Sequence, residues 1–342
     1  MRVITVILLI LCPRLMAVAQ DLSFTFVELN CENLFDTKHD SLKNDREFCE
    51  GGTRRWTPQR YWHKVNAIGK ELVSCGGEGE NWQIPDLVAL IEVENDSVLF
   101  DLTRRSLLRK AGYQYVMTDS PDQRGIDVAL LYQPFSFMLD TCYSIRITPP
   151  AGRRPTRDIL YVKGYADVLA ASDSALATKA MHVFVVHAPS RSGGQSQSEP
   201  YRLLVSSVLC GSIDSIRADE PDARIIVAGD FNDYYTDASV RQIEEHGMKN
   251  VSAGVQGHNG AKGTYRYQGE WGSLDQIIVS ESLLADMSDT DCHIHDLPFL
   301  TEEDKVYGGV RPHRTYSGFK YDSKGFSDHL PLILKAHFEK KH

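Results

Sequence analysis

Ile225-Ile226-Val227-Ala228-Gly229-Asp230-Phe231-Asn232-Asp233 is the stretch on which the reading of this chain turns. Its first four residues are apolar and small or β-branched, the composition of a strand buried on both faces. Gly229 closes the run, and a carboxylate, an aromatic ring and a carboxamide follow. Asp230 and Asn232 stand two apart, so one further extended step would point both side chains the same way. Aspartate and asparagine also open turns, and taken alone this stretch is equally well a polar strand exit. The same ending recurs, however. Apolar runs deliver Asn30 with Glu32, then Glu92, then His187, and further strands are expected to end in Asp275 and in Asp328-His329. Strand mouths of this kind, laid side by side, form one pocket of carboxylates, amides and imidazoles.

That collection belongs to hard-oxygen chemistry. Mg²⁺ takes carboxylate and carboxamide oxygens, keeps several waters and completes its shell with substrate phosphate. Two histidines add acid–base capacity near neutral pH. Zinc is disfavoured, because the chain has no His-x-x-x-His and no Cys-x-x-Cys. A serine nucleophile of the α/β-hydrolase kind would want Gly-x-Ser-x-Gly, which is absent.

Around this core the 342 residues, 42% apolar and 24% charged, have the composition of an ordinary globular protein. Residues 1–19 read as a secretory signal peptide. Arg2 precedes the apolar run 3–12, too short for a membrane span, and Ala17-Val18-Ala19 supplies a small-x-small cleavage pattern. The expected mature chain is a single domain over 20–342, exported to a periplasmic or extracellular space. Losing Arg2 and Arg14 takes the formal charge from −9 to about −11. An acidic chain gains no global attraction for nucleic acid. Arg153-Arg154 with Arg157, and Arg311 with His313-Arg314, are local basic exceptions.

Strands are expected over 24–30, 87–91, 127–132, 159–166, 182–186, 223–228, 273–280 and 330–338. Helices are expected from Thr57-Pro58 to Leu72, over 98–111 and over 199–216. Thr57 followed by Pro58 is a helix-start signature. Strands outnumber helices, and both hairpin and crossover spacings occur. The natural architecture is therefore an α/β (α+β) sandwich of mixed sheets.

The ordered motifs carry a resemblance. They are Leu29-Asn30-Cys31-Glu32-Asn33-Leu34-Phe35, Ile91-Glu92-Val93-Glu94-Asn95, Val186-His187-Ala188-Pro189-Ser190-Arg191, Gly229-Asp230-Phe231-Asn232, Leu274-Asp275-Gln276-Ile277 and Ser327-Asp328-His329-Leu330-Pro331. The set resembles the endonuclease/exonuclease/phosphatase superfamily, the metal-dependent phosphodiesterases related to pancreatic deoxyribonuclease, exonuclease III and neutral sphingomyelinase. The resemblance implies a four-layer α/β sandwich, two packed mixed sheets flanked by helices. It implies Mg²⁺, with Mn²⁺ a possible substitute, held mainly by Glu92 with Asn30 and Glu32 in the same shell and Asp328 close by. Asp230 would orient or deprotonate the attacking water, and Asn232 would hold a phosphate oxygen. His329 would meet the developing charge, Asp275 would fix its tautomer, and His187 would be the second catalytic histidine.

Two departures bear on substrate. Glu94 stands where abasic-site nucleases of the exonuclease III type carry lysine, and His187 stands where they carry tyrosine. Both argue against abasic-site repair. Arg124 and Arg191 are read from the residues alone as phosphate contacts, through the planar guanidinium fork. The expectation is a secreted Mg²⁺-dependent phosphodiesterase, with nucleic acid the first candidate substrate, no stable protein partner and a monomeric chain. Sphingomyelinase-like, phospholipase or inositol/sugar-phosphate phosphatase activity on the same fold is the alternative, and a non-catalytic binding module comes third.

Overall fold

The computed structural model describes residues 23–77, 82–168, 179–191 and 193–338. The expected signal peptide lies outside the described residues. One sheet runs, in spatial order, β13 (Asp289–Ile294), β18 (Leu332–His337), β1 (Ser23–Leu34), β2 (Leu87–Val93), β4 (Asp127–Tyr132) and β3 (Gln114–Met117). The other runs β5 (Phe137–Ile145), β6 (Ile159–Ala166), β7 (Met181–His187), β8 (Arg224–Asp230), β12 (Asp275–Ser280) and β9 (Met248–Asn250). Each has one parallel pair at its centre, β1 with β2 and β7 with β8, flanked by antiparallel neighbours.

Side-chain alternation along β8 shows why its sequence is continuously apolar. Ile226 and Ala228 pack into the cluster between the sheets, where they meet Phe26 of β1 and Ala89 and Ile91 of β2. Ile225 and Val227 face the other way, against Val205, Leu209 and Ile213 of helix α3 (Gln195–Asp219) and Val240 and Ile243 of α4 (Ala238–Glu245). The first sheet does the same on its outer side. Val27, Leu29, Val88 and Leu90 pack on Val65, Ile68 and Leu72 of α1 (Pro58–Ser74). Three apolar seams therefore separate four layers, helix, sheet, sheet and helix, which is the architecture the resemblance implied. Each fully buried aliphatic side chain contributes roughly 1.5–3 kcal/mol.

Helix α1 starts where Thr57 and Pro58 indicate, with the Thr57 side chain accepting from the Arg60 N–H. The helix expected over 98–111 is instead broken. Asn95 caps a short α2 (Asp96–Phe100), a wide turn follows through Arg105, and extended Ser106 caps a separate single turn, Leu107–Lys110. Strands β3 and β5 had no sequence expectation. Both are sheet edges: β3 is a half-buried strand of only four residues, and most side chains of β5 face solvent. The last helix, α5 (Glu281–Asp286), and the small hairpins β10/β11 (Tyr265–Tyr267, Glu270–Gly272), β14/β15 (Thr301–Glu303, Val310–Pro312) and β16/β17 (Tyr316–Ser317, Lys320–Tyr321) complete the chain. The six described cysteines are free thiols. No helix among the described residues is long and apolar enough to cross a membrane.

Candidate active site

The polar residues converge because of strand direction. Parallel β1 and β2 bring Asn30 and Glu92 to one edge, and parallel β7 and β8 bring His187 and Asp230 to the facing edge. β12 runs antiparallel to β8 and β18 antiparallel to β1, so they supply residues at their entrances: Asp275 and, just before β18, Asp328-His329. Asp275 is thus a strand beginning rather than a strand end. Register sets His187, Asp230 and Asp275 at one level, since Asp230 pairs with both of the others. Asn30 joins the sheets by donating from Nδ2 to Asp230 Oδ2 at 3.1 Å.

The strand exits are sharply bent. Gly229 has φ +146°, and a Cβ there would stand 1.9 Å from the Val186 carbonyl oxygen, so only glycine fits. Glu92 (φ +63°) and Asn232 (φ +51°) occupy the left-handed region, a strain of roughly 1–3 kcal/mol each that clusters at functional sites. Asn232 does not continue the extended strand, as its spacing from Asp230 had suggested. Its N–H folds back to Asp230 Oδ1 at 2.8 Å and its Nδ2 donates to the Ala188 carbonyl at 3.1 Å. Both side chains still reach the same space by this turn.

That space is a cleft of about 690 Å³ lined by Asn30, Glu92, Asp230, Asn232, Asp328, His187 and His329. Asp275 sits below its wall, fully buried, with Oδ2 2.7 Å from His329 Nδ1 and accepting also from the Thr264 hydroxyl. His187 Nε2 lies 3.7 Å from Asp230 Oδ2 and 3.9 Å from Glu92 Oε1.

A scan of protein families matches residues 25–338 to the Endonuclease/Exonuclease/phosphatase family. The chain belongs to that family. A comparison with curated proteins found no match. Solved structures similar to this member include the human Nocturnin catalytic domain with bound sulfate anion, at 17% identity and TM-score 0.54, covering 93% of this chain and 95% of that one. Truncated Caenorhabditis elegans TDP2 gives 14% identity and TM-score 0.56, with 92% and 97% covered. The Bacteroides thetaiotaomicron mannosyl-6-phosphatase Bt3783 gives 14% identity and TM-score 0.55, with 92% and 100% covered. At such identities these neighbours speak for the fold.

The protonation of this family member's cleft follows from burial and crowded charge. Burial, then the Asp275 charge, pushes Asp230 up to about 7. Burial alone would lower His329, but the charge and hydrogen bond of Asp275, with Asp328 and Asp230, raise it well above the usual histidine range. His187 is held well below that range by burial, then by Arg157 and Arg124. Its Nδ1 is buried without a hydrogen-bond partner among the described residues. One imidazolium and one neutral imidazole therefore flank Asp230. The donors of Asp230, Asp275 and His329 lie within 4.8 Å of one another, but Asp275 and His329 satisfy each other as a dyad. Glu92, Asn30 and Asp328 line the same cleft as Asp230, and their hard oxygens are a donor set that suits a divalent cation.

One expected residue lies outside the cleft lining, and the two expected arginines line it while engaging neighbours. Glu32 is not among the residues that line the cleft. Its Oε2 accepts from the Thr315 N–H at 2.7 Å and from Lys64, and its Oε1 from the Tyr316 N–H at 3.1 Å. It anchors the segment entering β16. Arg191 lines the cleft but is occupied by the Asn232 carbonyl, Asp233 and Asp237, and stacks on Tyr234. Arg124, nearly half exposed, donates to Asn33 Oδ1 and lies 3.8 Å from Glu92. Four contributors went unassigned. Thr264 holds Asp275, Tyr265 packs on His329 at 4.9 Å between ring centroids, and buried Arg157 lines the cleft floor. Glu28, pushed well up by burial and by the Asp275 charge, sits neutral beside the dyad. Its signal was a carboxylate inside the apolar run 24–29.

Proposed function

We propose that the protein is an exported, Mg²⁺-dependent phosphodiesterase whose first substrate is nucleic acid. The observation that carries this reading is the Asp275–His329 dyad, whose His329 lines one cleft with Asp230. Asp230, poised near neutral pH, accepts a proton from the attacking water. Asp275 engages His329 Nδ1, which leaves Nε2–H of the imidazolium for the developing charge or the leaving oxygen. Asn232, fixed by its turn, presents an amide to a phosphate oxygen. Glu92, Asn30 and Asp328 would hold the divalent cation, which supplies Lewis-acid stabilisation of phosphoryl charge when bound. His187, uncharged, offers one further ring N–H without adding cationic repulsion. Export follows from the apolar N-terminal run of the sequence.

The test is turnover of bis(4-nitrophenyl) phosphate and DNA with Mg²⁺ or Mn²⁺, compared between the parent chain and Asp230→Ala. The variant should lose roughly 10²-fold or more in kcat while keeping its circular dichroism spectrum. Unchanged turnover would overturn the assignment. A sugar-phosphate monoester is the second reading, supported by the likeness to a mannosyl-6-phosphatase, and mannose 6-phosphate belongs in the same panel.

A further inference from the structure

Beside the active cleft lies a second cavity of about 600 Å³, walled by the β5–β6 connection and the first turns of α3. It is continuous with the cleft, since Arg124, Arg157 and Ser190 line both. Four arginines, Arg124, Arg153, Arg154 and Arg157, face it against one lining carboxylate, Asp122. In a chain of net charge −9 this is a local reversal of sign. Arg153 and Arg154 are exposed and make no ion pair with a carboxylate among the described residues. Arg157 is only 9% exposed. One of its terminal nitrogens donates to the Ala188 carbonyl at 2.9 Å and the other lies 3.6 Å from Asp122. Its Nε–H has no hydrogen-bond partner among the described residues. The lining also offers an apolar stretch, Ile147, Pro149, Pro189 and Leu204, with Tyr201 carrying the Arg153 guanidinium 5.1 Å above its ring, among polar side chains such as Asn44 and Gln197.

We propose that this second cavity is a nucleotide subsite, in which the base lies against Tyr201 and the proline wall while Arg153, Arg154 and Arg157 take the phosphate adjoining the scissile one. Guanidinium forks match phosphate oxygens, and an aromatic ring with a stacked arginine receives any base through its π-face. A sugar monoester carries neither a base nor a second phosphate and leaves the cavity empty. The inference rests on the phosphodiesterase reading and narrows its substrate to diesters with a nucleotide beside the cut bond.

The test is binding of a fluorescein-labelled thymidine octanucleotide in EDTA, read by anisotropy, with the parent chain, Arg153→Ala/Arg154→Ala and Tyr201→Ala. The double variant should raise Kd about tenfold, the loss of roughly 1.4 kcal/mol, and Tyr201→Ala should raise it severalfold, with melting temperatures kept. Adenosine monophosphate should displace the probe and inorganic phosphate at equal concentration should not. No binding by the parent, Kd within twofold in both variants, or equal displacement by phosphate would each overturn the subsite. Hydrolysis of bis(4-nitrophenyl) phosphate separates the two readings. Turnover with variant-insensitive binding sinks the subsite alone, and variant-sensitive binding without turnover sinks the hydrolytic reading alone.

Discussion

Asp275 has no exposed surface, yet it controls the charge of the two groups that face the substrate. It raises His329 by charge and hydrogen bond, and after burial it is the largest influence raising Asp230. Replacing it with asparagine removes both effects, so both pKa values fall. Asp230 then becomes a competent base at lower pH, and His329 loses its proton at lower pH. The bell of kcat against pH should therefore move to the acid side on both limbs, with the maximum lowered by roughly 10²–10⁴-fold. A pH–rate profile of Asp275→Asn measures this, and limbs that stay in place would refute the dyad's role. At this scale much of the site was legible, because Asp230, His329, Glu92 and His187 each follow or precede an apolar run. Glu32 is drawn instead to the Thr315 and Tyr316 backbone, because a side chain's type says nothing of which partner reaches it first.

Helix α1 shows the same division one level up. Its start is local chemistry, with the Thr57 side chain and Pro58 sufficient to place it. Its buried face is less simple, since Lys64 and Glu71 lie within the apolar stripe, both essentially inaccessible to solvent. Neither carboxyl oxygen of Glu71 has a hydrogen-bond partner among the described residues, and burial pushes its carboxyl up to about 8. The native helix thus keeps a proton that the unfolded chain releases near pH 4.5. Its stabilising contribution is whole below that pH and is lost as pH rises towards 8. Denaturant unfolding of Glu71→Gln across pH 5–8 should be flatter than that of the parent, by up to about 1.4 kcal/mol per pH unit. Identical slopes would show that Glu71 is ionised in the fold. The broken segment after Asn95 and the edge strands β3 and β5 escaped the sequence, for caps, a strand of four residues and a solvent-facing edge leave no sustained periodic apolar signal.

Across the whole molecule, the two sheets act as jaws whose like-charged edges meet only because the seam between them is apolar and closely filled. Glu92, Asp230 and Asp328 line one cleft, and the proposed cation would bind there in the folded chain and not in the unfolded one. Mg²⁺ or Mn²⁺ should raise the melting temperature, with a stabilisation of about 2.7 kcal/mol at a hundredfold excess over Kd. Glu92→Ala should abolish the increment, whatever its effect on turnover. Equal shifts in parent and variant would place the cation elsewhere. What the sequence determined by itself was whatever is encoded within a few residues: apolar strands on both sides of polar exits, the cap of α1, and the ordered motifs that identify the family. Tertiary structure alone decided which exits face one another, that Asp275 pairs with Asp230 in register, that Glu32 turns to the Thr315 backbone, and that a second arginine-lined cavity opens into the first. Those outcomes depend on strand direction and register between segments up to 297 residues apart, and no local pattern of side chains carries that information.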